Sequence, residues 1–255
     1  MPFVSLILLT FAPMQNHRRI IITAIMLAAI AISAAAKPKP RRVRLETTAG
    51  IIRIELSDET PRHRDNFLRL CREGYYDGLL FHRVIRDFMI QGGDPDSRIH
   101  KAAPAPGATD STIVSPPRTK PLGDGGPSYT IEPEFRLPWL YHVRGAVAAA
   151  READDVNPEQ RSSGSQFYIV YGRSWGENSL GKQRAALEEA GIEMTYEMWN
   201  DYLQYGGAPH LDGTYTVFGH VTDGMKVVKA IQAMPTDKDD RPLQDVVILR
   251  AVVEQ

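Results

Sequence analysis

Apolar residues alternate with polar ones along much of the chain after residue 42, and this spacing predicts a protein built mainly from β-strands. Eight short strands are predicted, the first two forming a hairpin around Ala49-Gly50; they cover 43–47, 52–56, 79–84, 88–92, 145–151, 166–171, 215–221 and 246–253. Eight short strands with few long helices favour a closed antiparallel barrel, because closure leaves no strand edge exposed.

Helical spacing of apolar residues predicts two principal helices that cap this barrel. The first begins at Thr60-Pro61, where a proline in the first turn leaves no N–H unsatisfied, and ends at about Arg72 before Gly74. The second covers Met225–Ala233, in which Val227, Val228 and Ile231 share one face.

Two segments do not fit a compact barrel. Residues 96–128 are rich in Pro, Gly and Ala and predict a long surface loop. Residues 173–208 predict an inserted helical hairpin, with helices near 182–190 and 196–205. The second of these helices carries an apolar stripe, which we interpret as packing against the barrel rather than as a ligand site; it consists of Met198, Trp199, Tyr202 and Leu203.

The first 36 residues have the layout of a secretory signal sequence. Arg18-Arg19 precede an apolar run over 20–32, and Ala34-x-Ala36 then offers a cleavage site. We therefore expect a signal peptide at 1–36, a linker at 37–42 and a single barrel domain at 43–255, exported to the periplasm. The alternative is an uncleaved anchor in the inner membrane, since the uncharged stretch 20–36 is at the short limit for a span.

The composition narrows the function classes further. Lys and Arg number 30 against 31 for Asp and Glu, a net charge of −1 that carries no basic footprint for nucleic acid. The single cysteine, Cys71, excludes an internal disulfide and a cysteine-rich zinc site, and its helical spacing from Phe67 and Leu70 predicts burial. No two of the seven histidines are four residues apart, so no metal or other cofactor is expected.

The run 81–94 (FHRVIRDFMIQGGD) carries the most chemistry. Arg83, Met89 and Gln91 occupy alternate positions, so on regular strands they can share one face. A strong hydrogen-bond donor would then lie beside an apolar surface, with an amide able to hold it. Taken alone, the run is equally compatible with core strands and a surface arginine.

Two later runs, 164–169 (GSQFYI) and 210–219 (HLDGTYTVFG), decide between these interpretations. With 81–94, they resemble in order the three active-site segments of the cyclophilin family of peptidyl-prolyl cis/trans isomerases, and the similarity covers about 43–253. The resemblance implies an eight-stranded antiparallel barrel capped by two helices, isomerase activity on X–Pro bonds and no cofactor.

The family's site residues transfer to matching positions. Arg83 matches the catalytic arginine and Gln91 the glutamine that orients it. The resemblance also implies a proline pocket and a neighbouring peptide groove, whose matching residues are Phe88, Met89, Tyr168 and Leu211 for the pocket and Ala150 and Gln166 for the groove.

Four positions depart from the commonest pattern of the family. Tyr168 stands where Phe is usual, and Arg151 stands where many members have Asn, which is expected to add a charge to the groove. His210 and Tyr215 stand where the best-known eukaryotic members have Trp and His, a pattern similar to the exported bacterial branch.

Isomerisation breaks no bond, so the reaction requires only preferential binding of the twisted amide. The expected partners are proline-containing peptides and folding proteins of the cell envelope. A monomer is expected, with no nucleic acid and, after signal cleavage, no membrane. The alternative is a cyclophilin-like barrel used only for peptide binding or as a chaperone; a hydrolase would need a nucleophile–base pair, and no motif supplies one.

Overall fold

The computed structural model describes residues 41–101 and 113–254. The predicted signal peptide, most of the predicted linker and part of the 96–128 loop lie outside these residues. Eight strands form one sheet: β1 (Arg41–Thr47), β2 (Gly50–Leu56), β3 (Phe81–Ile85), β4 (Met89–Gly92), β8 (Ala146–Ala149), β10 (Phe167–Val170), β11 (Val217–Asp223) and β12 (Ile248–Glu254). Four two-residue strands pair outside it: β5 (His100–Lys101) with β6 (Ile113–Val114), and β7 (Thr130–Ile131) with β9 (Ser162–Ser163).

The eight strands are all antiparallel and run in the order β12-β1-β2-β11-β8-β10-β4-β3. The sheet is curled, and its edge strands β12 and β3 are not paired by a ladder. A single bridge between Leu80 and Val247 joins their beginnings, where Phe81 N donates to Val246 O at 2.9 Å. The prediction of a fully closed barrel is therefore not confirmed, because the few hydrogen bonds at this bridge do not extend into a ladder between β3 and β12.

Helices α1 (Pro61–Arg72) and α4 (Met225–Gln232) supply apolar faces to the core inside the curled sheet, at nearly the predicted bounds. Alternate residues of the strands point into the same core, so one face of each strand is buried there. Cys71 of α1 lies in this core with 4% of its surface exposed, as predicted, and burial raises the pKa of its thiol. Among the described residues, none of the helices has the length and apolar character needed to cross a membrane.

The helical hairpin consists of α2 (Glu177–Glu189) and α3 (Tyr196–Tyr205). Helix α2 begins five residues before the predicted start, because Gly176 and Ser179 cap its first turn. The hairpin has a core of its own, in which the fully buried Met198 and Tyr202 pack with Trp175. The predicted stripe thus packs mainly within the hairpin and against the segment that contains Leu137 and Tyr141.

Segment 96–128 is more ordered than the predicted loop where it is described, because β5 and β6 pair within it. The carboxylate of Asp94 fixes its two ends. One oxygen accepts from Asp96 N at 2.8 Å, and the other accepts from Gly123 N at 2.5 Å. The segment returns from this anchor alongside Gln166, next to the candidate site.

Candidate active site

Strands β3 and β4 present one row of side chains on the outer face of the sheet. Arg83 is paired in register with Gln91, and Ile85 with Met89, so Arg83, Met89 and Gln91 share a face as the alternation in the sequence predicts. The Arg83 side chain is 44% exposed, whereas Met89 is buried. A cation therefore lies beside an apolar surface on the same face.

A chain of two side-chain amides, Gln91 and Gln166, holds this cation. Arg83 Nη1 donates to Gln91 Oε1 at 3.4 Å, and Gln91 Nε2 donates to Gln166 Oε1 at 2.9 Å. Gln166 Nε2 donates to Gly123 O and Gly125 O at 2.6 and 2.7 Å. Because both N–H groups of Gln166 are engaged by carbonyls, its oxygen must face Gln91, which turns the oxygen of Gln91 towards the guanidinium.

Arg83 has a second partner that sequence reasoning missed. Asp240 Oδ2 lies 3.6 Å from Arg83 Nε, and both side chains are more than 40% exposed. The Asp240 backbone adopts a left-handed conformation with φ of 61°, and its carbonyl accepts a hydrogen bond from Val84 N at 2.8 Å. No motif marks this aspartate, since only the fold brings its loop against β3.

The apolar surface beside Arg83 is a continuous cluster that contains the predicted pocket residues. Met89 and Tyr168 form its buried part, and small alanines of β8 leave room above them. The half-buried residues packed around the cluster form its rim and include Phe88, Ala150, Leu211 and Tyr215. The ring of His210 is 5.5 Å from that of Phe88, so this exposed histidine extends the rim.

A polar groove of about 380 Å³ adjoins the cluster. Ala150 and Gln166, the residues predicted for the groove, line it together with Gln91, the returning segment 123–127 and Arg151. Among residues 41–101 and 113–254, no group of three His, Cys, Asp or Glu side chains could hold a metal ion. The arrangement therefore places a cation, an apolar pocket and a groove that can hold an extended peptide next to one another.

The sequence of residues 42–253 matches the family model described as cyclophilin type peptidyl-prolyl cis-trans isomerase/CLD. The chain belongs to this family. It is 30% identical to the peptidyl-prolyl cis-trans isomerase CYP18-1 of Arabidopsis thaliana over 215 residues, which are 83% of this chain and 94% of the relative. Over 223 residues, it is also 30% identical to CYP18-2 of the same plant, covering 87% of this chain and 99% of that one.

Some relatives in the family are longer than this chain, and others have solved crystal structures. The chain spans 37% of a Streptococcus pyogenes relative and 25% of CYP65 of Arabidopsis thaliana. The crystal structure of a cyclophilin type peptidyl-prolyl cis-trans isomerase from Cryptosporidium parvum shares the fold, with a TM-score of 0.56 and 24% identity over 85% of this chain and 98% of that one. A second structure of that protein, in the presence of the dipeptide Ala-Pro, has a TM-score of 0.55 and 25% identity over 84% and 99% of the two chains.

This cyclophilin has a buried polar network behind its pocket, at the position where it has Tyr168 in place of the usual Phe. The Tyr168 hydroxyl lies 3.0 Å from His142 Nε2, and His142 Nδ1 lies 2.9 Å from Asp212 Oδ1. Tyr202 of α3 donates to Asp212 Oδ2 at 2.6 Å. All four side chains belong to residues that are at most 4% exposed.

The direction of these hydrogen bonds follows from the chemistry of the groups. A carboxylate only accepts hydrogen bonds, so His142 donates from Nδ1 to Asp212. Its Nε2 then accepts a hydrogen bond from the Tyr168 hydroxyl. Burial raises the pKa of Tyr168 well above its usual value, which keeps the hydroxyl protonated for this role. The network ties the pocket wall of the cyclophilin to the inserted hairpin, and sequence reasoning assigned no role to His142, Asp212 or Tyr202 in it.

Arg151, which is expected to add a charge to the groove, lies in the groove lining with its side chain largely covered. Its guanidinium stacks 4.4 Å from the centre of the Tyr215 ring, and Nε donates to Thr214 O at 2.8 Å. The side chain is 4% exposed and forms an ion pair with Asp154 at 2.6 Å. Arg151 therefore supports the Tyr215 edge of the pocket, because its charge is neutralised and covered.

Proposed function

We propose that this chain accelerates cis–trans isomerisation of X–Pro bonds in unfolded and folding polypeptides, with Arg83 as the catalytic group. The barrier to rotation is about 18–20 kcal/mol, because amide resonance must be lost. Uncatalysed exchange therefore takes roughly 10–100 s at 25 °C. A catalyst that lowers this barrier needs neither a nucleophile nor a general base.

The observation that carries the proposal is the fixed guanidinium beside the apolar cluster. Phe88, Met89, Tyr168 and Leu211 offer a surface that grips a proline ring. As the amide twists, its nitrogen lone pair becomes localised and can accept a hydrogen bond from Arg83. The amide chain from Gln91 to Gln166 holds the donor before the substrate arrives, so little reorganisation is needed in the transition state.

The ligand class has independent support from a relative. The Cryptosporidium parvum isomerase was crystallised in the presence of Ala-Pro. We propose the same class of ligand for this chain, with the proline in the apolar pocket and the adjoining residues in the groove beside Gln91, Ala150 and Gln166.

Arg83→Ala tests the catalytic proposal. We expect kcat/KM on a proline tetrapeptide to fall about 10²–10³-fold, the loss seen when one preorganised donor is removed from other active sites. Arg83→Lys should restore little, since an ammonium lacks the planar fork that Gln91 and Asp240 hold. Arg86→Ala is the matched control, because Arg86 is an exposed arginine just after β3 whose guanidinium donates to Ala233 O.

The assay should follow isomerisation directly, without a coupled protease, beside a thermal melt of each variant. Near-wild-type activity of Arg83→Ala would contradict the mechanism. If the wild type binds the proline peptide but does not accelerate its isomerisation, the alternative is favoured, a peptide-binding module or chaperone.

We further propose that the protein belongs to an exported bacterial branch and acts as a monomer on proteins of the cell envelope. The support is the sequence pattern of residues 1–36, with its basic start, apolar run and Ala34-x-Ala36. Mass spectrometry of fractionated cells should find a chain that begins at Lys37 in the periplasm. An intact 20–36 segment in the membrane fraction would show an anchor, and light scattering of the purified chain would test the monomer.

A further inference from the structure

Four arginines in the described part of the chain lie over aromatic rings, and one of them differs from the other three. Arg69, over Tyr129, also donates to Glu73 and Asn66. Arg144 lies 4.3 Å from the centre of the Tyr171 ring, and Arg151 stacks in the same way on Tyr215. Both use their N–H groups on backbone carbonyls; Arg144 Nε, for example, donates to Tyr171 O at 2.7 Å. Arg173 lies 3.8 Å from the Trp175 ring, yet its exposed guanidinium makes no hydrogen bond or ion pair with any residue that the structure describes.

The support under Arg173 is rigid. Trp175 is 8% exposed, and its indole Nε1 donates to Gly207 O at 3.0 Å. Gly207 N in turn donates to Arg173 O at 3.0 Å, which fixes the backbone of the arginine at the start of the inserted hairpin. A cation held over an indole face loses less conformational freedom when it binds a partner than a free side chain does.

This arginine lines a groove of about 400 Å³ that meets the proline pocket. Phe88 and His210 belong both to this groove and to the rim of the pocket. Gln183 of α2 adds an amide to the lining, and Asp87 is the one carboxylate among the lining residues that the structure describes. The polar groove beside Gln166 has different lining residues from this groove. A bound peptide can therefore lie in one groove before its proline and in the other groove after it.

We propose that this groove is a subsite for a client residue that flanks the proline, and that Arg173 on Trp175 selects an aspartate or glutamate side chain there. The inference rests on the proposed isomerase function. A guanidinium offers a planar fork of donors that matches a carboxylate, and the stacking leaves the outer edge of the fork open. Asp87 confines this preference to the Arg173 side of the groove by repelling a carboxylate from its own side.

The test reverses the charge at Arg173 in the protein and, separately, at single positions of the peptide. Peptides with an Ala-Pro core carry Glu, Gln or Lys at one position at a time, up to four residues on either side of the proline. At one of these positions, we expect the wild type to show a kcat/KM for the Glu peptide about tenfold above that for the Lys peptide, mainly through KM. Arg173→Glu should invert this ratio, and Arg173→Gln should bring it close to one.

Lys182→Glu is the matched control, because Lys182 is an exposed cation on α2 that does not line the groove. It should leave the Glu-to-Lys ratio unchanged. Raising the salt concentration should shrink the wild-type preference, as expected for a partly exposed ion pair. A thermal melt of each variant checks that the hairpin is still folded.

Peptide affinity from titration calorimetry separates this inference from the proposed function. If peptides with alanine on both sides are neither bound nor turned over, the isomerase proposal and the subsite are both overturned. If they are turned over but the Glu-to-Lys ratio stays within twofold at every position, or is unaffected by Arg173→Glu, the subsite alone is wrong. Binding with the expected charge inversion but without turnover would support the subsite and refute the catalytic proposal.

Discussion

Two long segments interrupt the sheet, and each holds one side of the candidate active site. Segment 96–128 holds Gln166 through the backbone carbonyls of Gly123 and Gly125, on the polar side. The inserted hairpin reaches Tyr168, on the apolar side, through Tyr202 and the Asp212–His142 pair. Gln166 and Tyr168 are two residues apart, so they share a face of the chain that enters β10.

The two supports differ in chemistry. On the polar side, the contact between the loop and Gln166 consists of neutral amide–carbonyl hydrogen bonds next to an open groove, where water can replace a lost partner. The apolar side depends on a carboxylate that is 1% exposed and whose partners are equally buried. Loss of the Asp212 carboxylate should therefore affect stability most, whereas loss of the Gln166 amide should affect catalysis with little loss of stability.

The largest effect is expected for Asp212→Ala. The change leaves His142 N, His142 Nδ1 and the Tyr202 hydroxyl without their acceptor in a buried site. Each unsatisfied buried donor costs about 1–3 kcal/mol, so we expect the free energy of unfolding to fall by about 3–5 kcal/mol. Urea denaturation followed by circular dichroism measures it.

Asp124→Ala is the control for this prediction. Asp124 is exposed in the returning part of the loop and makes no hydrogen bond in the described part of the chain. Its replacement should change the free energy of unfolding by less than about 0.5 kcal/mol. Equal losses for the two variants would refute the contrast between the sides.

The elements themselves follow closely from the sequence, because local patterns determine them. Alternation predicts β1 and β2, and Pro61 marks the first turn of α1. Arg83 and Gln91 face each other because a short hairpin joins β3 to β4, so their spacing alone indicates a shared face. The closed barrel failed as a prediction because edge pairing between β3 and β12 depends on how far the sheet curls, which no local pattern records.

The supports of the site could not be predicted, because their partners are distant in the chain. Gln91 and Gln166 are 75 residues apart, and His142 and Asp212 are 70 apart. Asp240 reaches Arg83 only because its loop packs against β3. Arg151 shows the same limit, since its charge was evident but its burial against Tyr215 depends on the fold.

A second prediction concerns acid and the loop side. His82 is 2% exposed and lies against Gly123, and burial lowers the pKa of its imidazole from 6.5 to about 4 although Asp94 opposes the shift. The folded state therefore prefers neutral His82, so its stability contribution is complete above pH 6.5 and is lost as the pH falls towards 4. We expect this histidine to remove about 2–3 kcal/mol of unfolding free energy between pH 7 and pH 4.5.

His82→Gln isolates that contribution, because the amide does not titrate. Urea denaturation at pH 7 and pH 4.5 should show a smaller loss for the variant than for the wild type. The pKa of His63 is also lowered by burial, and its contribution remains in both proteins. The same pH dependence in both would show that His82 is not the group responsible.

A third prediction breaks only the link between the hairpin and the pocket. Tyr202→Phe removes the hydroxyl that donates to Asp212 and keeps the ring in the hairpin core. A hydrogen bond to a charged group contributes about 1.5–3 kcal/mol, so unfolding should become easier by roughly 2 kcal/mol. KM for a proline peptide should also rise a few-fold, since the Tyr168 wall is less firmly held.

Tyr205→Phe on the same helix is the matched control. Tyr205 is 49% exposed, so its replacement should leave both the free energy of unfolding and KM unchanged within error. If Tyr202→Phe behaves in the same way, the hairpin does not act on the pocket through the network.

The smallest loss of stability is expected on the loop side, from Gln166→Leu. The variant removes the amide that bridges Gly123 and Gly125 to Gln91, so the Gln91 amide can turn and present its N–H groups to Arg83. Arg83 then keeps Asp240 as its remaining partner. We expect kcat/KM to fall about tenfold, which corresponds to about 1.4 kcal/mol of barrier. The free energy of unfolding should fall by about 1 kcal/mol, because water can reach the freed carbonyls.

Gln204→Leu, at an exposed glutamine of α3, is the control and should change neither quantity. A direct isomerisation assay beside urea denaturation separates the two effects. A hundredfold loss of activity would mean that Asp240 cannot hold Arg83 by itself, whereas unchanged activity would mean that the amide chain does not position the cation.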